Sequence, residues 1–226
     1  MSSVLSVTDR IYVYEKPVRL WHWVNAAAIV ALAITGWLIA YPPVVSGGEA
    51  SGHFLMGYIR FAHFSAGYIL AVGLVGRAYW ALVGNRYARE LFLPAVHSAR
   101  WWQGLWHELL WYLFLVKEPR KHAGHNPLAG LAMFLFYVLG SLFMIATGFA
   151  LYGEGAGGWA ADAFSWVLPV LGGSQQVHSL HHLGLWYLVV FTLTHIYVAV
   201  REQILSRQSV ASTMLDGWRV WKDDRP

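Results

Sequence analysis

Of the 226 residues, 57% are hydrophobic and 12% charged, and the mean hydropathy is +0.44, which excludes an ordinary soluble domain and predicts an all-α integral membrane protein. No cysteine is present, so disulfides, thiolate-held iron–sulfur clusters and covalent c-type haem attachment are excluded. The net charge of +4 and pI of about 9.4 do not indicate nucleic acid, because the basic residues flank apolar stretches, where orientation in a lipid membrane accounts for them.

Residues 1–19 are polar, and no short apolar run leads to a small-residue cleavage site, so no removable signal peptide is expected. A first span is predicted from about Leu20 to Tyr41, ending at Pro42-Pro43, which cannot continue a helix. His22 lies at its start between Trp21 and Trp23; taken alone it fits an interfacial residue among aromatic anchors equally well. A Gly/Ser-rich loop, 42–57, carries Glu49 and no Lys or Arg. A second span, about 58–83, has His63 near its beginning and Arg77 near its end, where snorkelling to the interface is the default for an arginine and pairing with a cofactor carboxylate the alternative.

The connection 84–126 is basic, and its apolar part, about 101–116, is too short and too polar to cross a bilayer; an interfacial helix is predicted there. A third span covers about 127–152 and holds no histidine, although Thr147-Gly148 sits near its far end. A Gly-rich loop, 153–176, carries Glu154 and Asp162 and no positive residue. The fourth span, about 177–202, contains His178, His181, His182 and His195, and the tail 203–226 is expected to form a short surface helix around GWRVW. The amino-terminal arm, the 84–126 connection and the tail from Arg201 hold three, six and five Lys/Arg, and the other two loops none. Four spans with both termini cytoplasmic satisfy that bias at every crossing. No internal repeat or separate soluble domain is evident, so residues 1–226 read as one membrane domain.

His181 and His195 are fourteen residues apart, a rotation of about 1400°, which brings both side chains to one face about 21 Å apart. One metal ion cannot bridge that distance, but two cofactors stacked in a hydrocarbon core of about 30 Å can use both residues. His182 points away from this face, as a neighbour rather than a ligand. In the predicted topology His63 and His181 share the outer level and His22 and His195 the inner one. Two imidazoles from different helices form the ligand set of a six-coordinate b-type haem, so two haems b are expected, each transferring electrons rather than binding a substrate. Gly36, Gly67, Gly148 and Gly184 could admit a flat macrocycle, or could equally serve ordinary helix packing.

The segments YEKPVRLWHWVNA, GYIRFAHFSAGY, GHNPLAGLAMF, SLFMIATGFALYGE, HHLGLWYLVVFTLTHIYVAVRE and SRQSVASTMLDGWR cover nearly the whole chain. Together they resemble the b-type cytochrome subunit of membrane-bound nickel–iron uptake hydrogenases, within the broader group of formate dehydrogenase gamma-type cytochromes b. The resemblance implies that a large nickel–iron subunit and a small iron–sulfur subunit, the latter with a membrane anchor helix packed on the cytochrome, oxidise hydrogen outside the bacterial inner membrane. Electrons would then enter at the outer haem and reduce a quinone near the cytoplasmic side. Asn126 occupies the place where the related formate dehydrogenase cytochrome has a quinone-binding asparagine; it also suits a helix cap before Pro127. His122, His125 and Arg77 are secondary candidates for quinone or proton contact. A formate dehydrogenase or thiosulfate reductase partner is the alternative within the group. A histidine-based metal-ion transporter, the alternative outside it, fits poorly with the fourteen-residue spacing.

Overall fold

A computed structural model describes residues 10–44, 52–118 and 120–221; Glu49, Lys222 and Arg225 of the charge pattern lie outside the described residues. Among these, four helical segments are long and apolar enough to cross a membrane: Lys16–Ala40 (α1), Leu55–Val83 (α2), Pro127–Ala156 and Ser174–Leu205. They run 25, 29, 30 and 32 residues, so at about 1.5 Å per residue each exceeds a hydrocarbon core of about 30 Å. Several ends lie beyond the predicted ones because polar first turns, such as Ser174-Gln175-Gln176, continue the helical hydrogen bonding that hydropathy does not register. Large apolar side chains such as Val72 (70% exposed) and Leu193 (63% exposed) face outward along these helices, as a lipid-facing surface requires.

Two short helices follow α2: Arg86–Arg89 (α3) and Ala99–Tyr112 (α4). The α4 helix is the expected interfacial one, but it stops four residues early, shortly before Phe114 takes a left-handed backbone at φ +61°. It buries Gly104, Glu108 and Trp111 and exposes Trp102 and Trp106. The third span comprises Pro127–Ala132 (α5), a π-helical stretch Met133–Val138, and Leu139–Ala156 (α6). Gly157 and Gly158, both at positive φ, then turn the chain into Gly158–Phe164 (α7) and Val167–Val170 (α8), two helices that the glycine-rich composition concealed. The fourth span, Ser174–Leu205 (α9), is followed by Thr213–Asp216 (α10).

The chain divides into two compact units, one of Met1–His22, Arg77–Val138 and Thr192–Pro226, the other of Trp23–Gly76 and Leu139–Phe191. In the first, Val13, Tyr14, Val18, Tyr87 and Ala88 form a buried cluster. Glu15 ties the amino-terminal arm to the end of α2: its Oε2 accepts from Trp80 Nε1 at 3.0 Å and from the Asn85 backbone N–H at 2.9 Å. The tail corrects the expected surface helix. Trp218–Val220 (β2) pairs antiparallel with Arg10–Tyr12 (β1), with Ile11 opposite Arg219. Gly217, at φ +88°, ends α10, and its carbonyl accepts from the N–H groups of Val13 and Tyr14. The run WRVW after that glycine favours a strand through its β-branched and aromatic residues, and the pairing with the arm decides it. In the second unit, Phe149 of α6 stacks on Phe164 of α7 at 5.3 Å, and the Gly153 Cα lies against the Ala160-Ala161 backbone, leaving no room for a Cβ.

Candidate functional site

The second unit brings His63 of α2 and His181 of α9 together, with ring centroids 6.4 Å apart and planes at 75°. Each imidazole is held by a threonine on another helix. Thr35 Oγ1 donates to the Ala31 carbonyl at 2.6 Å and lies 2.9 Å from His63 Nδ1; Thr147 Oγ1 donates to Phe143 at 2.8 Å and lies 2.8 Å from His181 Nδ1. Because each hydroxyl spends its proton on the backbone, its oxygen accepts from Nδ1–H, which leaves the Nε2 lone pair available to a metal. A glycine follows each threonine. A Cβ at Gly36 would stand 3.3 Å from His63 Cε1, and one at Gly148 3.2 Å from His181 Cε1. The Thr-Gly dipeptide is thus used twice, once on α1 and once on α6, to fix a ring and make room beside it. Its occurrence at 35–36 and 147–148 was the available sequence signal for Thr35, which hydropathy and histidine spacing do not reveal.

The first unit brings His22 of α1 and His195 of α9 together at 6.5 Å between ring centroids, with planes at 51°. His125 lies within electrostatic reach of both rings. The His125 Nδ1 is 3.2 Å from the hydroxyl of Tyr14, and its backbone N–H donates to Glu90 Oε2 at 2.9 Å. Burial pushes the Tyr14 phenol well above its ordinary range, and Glu90 adds to the rise while Arg219 and Arg77 oppose it. Burial also pulls the Arg219 guanidinium down.

Two imidazoles that share one metal ion, each at about 2 Å, have ring centroids about 6 Å apart once the depth of the rings is added. Both pairs meet that spacing. Among the described residues no group of three or more His, Cys, Asp or Glu is arranged to hold a metal, so each pair can supply only two ligands. A haem, whose porphyrin nitrogens provide the other four, fits both pairs, and the Gly36 and Gly148 clearings fit its bulk beside His63 and His181.

Asn126 caps α5, its Oδ1 accepting from the Ala129 N–H at 2.7 Å, and it is buried. Its amide is within hydrogen-bonding reach of Tyr112. The Tyr112 hydroxyl donates to Glu202 Oε2 at 3.4 Å, and burial raises its pKa, with Glu202 adding to the shift. Glu202 Oε1 accepts from Gln208 Nε2 at 2.9 Å. Glu108 is 1% exposed, and its Oε1 is 3.1 Å from His122 Nε2. Neither Glu108 nor Glu202 is legible as a site residue in the sequence, because α4 reads as a membrane-surface helix and Glu202 as the polar end of a span.

Other expectations are corrected. Arg77 does not snorkel: it is 4% exposed, and its Nη2 donates to the Ala88 carbonyl at 2.8 Å. At Gly184 a Cβ would collide with the Met144 sulfur, so this glycine serves helix packing, whereas Gly67, one turn after His63, has nothing within 4 Å of a would-be Cβ. The His182 ring packs against Tyr41, with centroids 6.0 Å apart.

Residues 13–217 match the family described as prokaryotic cytochrome b561. Relatives include a probable Ni/Fe-hydrogenase B-type cytochrome subunit of Azotobacter vinelandii, 62% identical over 218 residues, which are 96% of this chain and 91% of that protein. The protein of the same description from Cupriavidus necator is 58% identical, over 94% of this chain and 88% of its own length. A probable Ni/Fe-hydrogenase 1 B-type cytochrome subunit of Escherichia coli K12 is 47% identical, over 93% and 91%. The chain therefore belongs to the prokaryotic cytochrome b561 family, membrane-embedded electron-transport proteins that bind haem b, in the branch these B-type cytochrome subunits represent.

Proposed function

We propose that this chain is the di-haem b membrane anchor of a respiratory uptake nickel–iron hydrogenase in the bacterial inner membrane, with both termini cytoplasmic, and that it passes electrons from periplasmic hydrogen oxidation to the quinone pool. The observation that carries this reading is the pair of facing imidazole sets, at 6.4 and 6.5 Å, in a chain whose relatives are named for Ni/Fe hydrogenase. His63 and His181 would hold one haem and His22 and His195 the other. Held by two histidines each, the haems would supply one-electron transfer.

The chain's own residues divide the remaining work. Thr35 and Thr147 keep Nε2 of His63 and His181 aimed and unprotonated. Asn126 uses its side-chain carbonyl as a cap, and of the two N–H donors on its amide one faces Tyr112, which leaves the other to donate to a quinone carbonyl. Quinone reduction takes up protons, and the Tyr112–Glu202 and His122–Glu108 contacts place exchangeable groups in the same unit as Asn126. The small iron–sulfur subunit, with its anchor helix, and the large subunit would supply the electrons from the periplasmic face.

The test is a haem count with a hydrogen assay. Wild-type chain in its complex should carry about two haems b, both reduced by hydrogen in isolated membranes. His195→Ala should keep one and lose hydrogen-dependent quinone reduction, while dye reduction by the partner subunits continues. Normal quinone reduction in that variant would sink the assignment; haems that respond to formate and not to hydrogen would move the partner to a formate dehydrogenase.

A further inference from the structure

Two arginines in the unit that holds His22 and His195 are buried, with no carboxylate in ion-pair range among the described residues. Arg77 is 4% exposed; only its Nη2 is bonded, and Nε and Nη1 have no acceptor among those residues. Arg219 is 5% exposed, and its Nε also lacks an acceptor. A guanidinium stays charged at any ordinary pH, so burying it with unused donors is costly unless an anion is supplied.

The chain's own carboxylates do not fill that need. Glu90 Oε2 is taken by the His125 N–H, and Glu202 by Gln208 and Tyr112; both act on Arg219 only from beyond ion-pair distance. Arg77 has no carboxylate among its electrostatic neighbours, which are the hydroxyls of Tyr14 and Tyr137. The Arg77 guanidinium carbon lies 5.5 Å from the ring of Trp21, the residue before His22, and 5.6 Å from that of Phe92. Both arginines act on Tyr14, whose hydroxyl contacts His125, which in turn acts on both His22 and His195. The other unit differs. Its single Lys or Arg, Arg60, is exposed.

We propose that Arg77, with Arg219, binds the two propionate carboxylates of the haem held by His22 and His195, and that the His63–His181 site has no such anion clamp. The inference rests on the di-haem reading. A neutral quinone cannot compensate two cations, whereas a haem brings two carboxylates joined to one ring. Buried carboxylates fixed by Arg in a water-poor site form strong, often bidentate, hydrogen bonds.

The test uses the full chain in its complex, as wild type, Arg77→Leu, Arg77→Lys and Arg219→Leu, with redox titration of each haem; the haem lost in His195→Ala identifies the one at issue. Arg77→Leu should lower the potential of that haem, since loss of the cation disfavours the reduced state. Arg77→Lys should lower it less, Arg219→Leu should shift it in the same direction, and the other haem should not move. A second arm reloads the haem-free full chain with haem or with haem dimethyl ester, whose carboxylates are neutralised. Wild type should discriminate against the ester at least tenfold at this site, and Arg77→Leu much less. An unshifted potential in Arg77→Leu, or equal binding of haem and ester by wild type, overturns the proposal; the latter is also the result expected if an anionic lipid occupies the clamp. If Arg77→Leu does not fold, Arg77→Lys and the wild-type ester comparison decide. A wild-type chain that carries no haem at His22 and His195 fails the di-haem reading itself, and the clamp with it.

Discussion

The two histidine pairs have nearly equal ring separations and opposite surroundings. His63 and His181 are fixed by neutral hydroxyls that have already given their protons to the backbone, and the only Lys or Arg of their unit is the exposed Arg60. His22 and His195 share a unit with Tyr14, His125, Glu90, Glu108, Glu202, Arg77 and Arg219. Equal ligand spacing therefore sits in unequal settings: His178 and His182 are the titratable neighbours that act on His181, whereas the His22–His195 unit gathers acids, arginines and a buried tyrosine, the kind of surroundings that couple to protons and anions.

The sharpest way to break this comparison is to remove one ligand at a time. His63→Ala and His195→Ala should each leave one of two haems, with hydrogen-dependent quinone reduction lost in both; a pyridine haemochrome assay on each purified complex gives the count. Loss of both haems from either variant would show that the two sites are not separable. Next in size is Gly148→Leu. Its Cβ would begin 3.2 Å from His181 Cε1 and its branches would occupy the space beside the ring, so the haem at this pair should be lost or reduced in occupancy.

Thr147→Val is subtler. It keeps the side-chain shape but leaves His181 Nδ1–H buried without its acceptor, a cost of about 1–3 kcal/mol. A weaker hydrogen bond from Nδ1 makes the histidine a poorer donor to iron, so the potential of that haem should rise while the other stays unchanged. Thr147→Ser should restore it. A redox titration that finds both potentials unmoved would reduce the threonine to a packing role.

Much of this was readable before any coordinates. The four spans follow from runs of apolar residues, and the two pairs follow from the fourteen-residue spacing on α9 combined with the helix order. What escaped depends on contacts between segments far apart in the chain. The strand at Trp218–Val220 exists because residues 10–12 pair with it, which no local window reveals. Arg77 looked like a snorkelling residue because its position near a helix end is local information, whereas its bond to Ala88 and its burial come from the turn at Asn85 folding the chain back over it. Thr35 sits unremarkably in an apolar helix until His63 arrives from α2.

The smallest expected effect tests the protonic side of the comparison. Glu108 is almost fully buried, with His122 at 3.1 Å and His107 Nδ1 at 3.9 Å, and it lies in the unit of Asn126 rather than that of the threonine-held pair. Glu108→Gln is nearly isosteric and can still accept from His122, so the fold, both haems and their potentials should be unchanged. The amide cannot exchange a proton as a carboxylate does, so hydrogen-dependent quinone reduction should fall a few-fold. Rapid haem reduction by hydrogen should persist in the same preparation. If haem reduction slows along with quinone reduction, Glu108 acts on electron entry and the division of labour between the two units is wrong; if neither changes, proton supply to the quinone runs through other groups, with Tyr112 and Glu202 the next to replace.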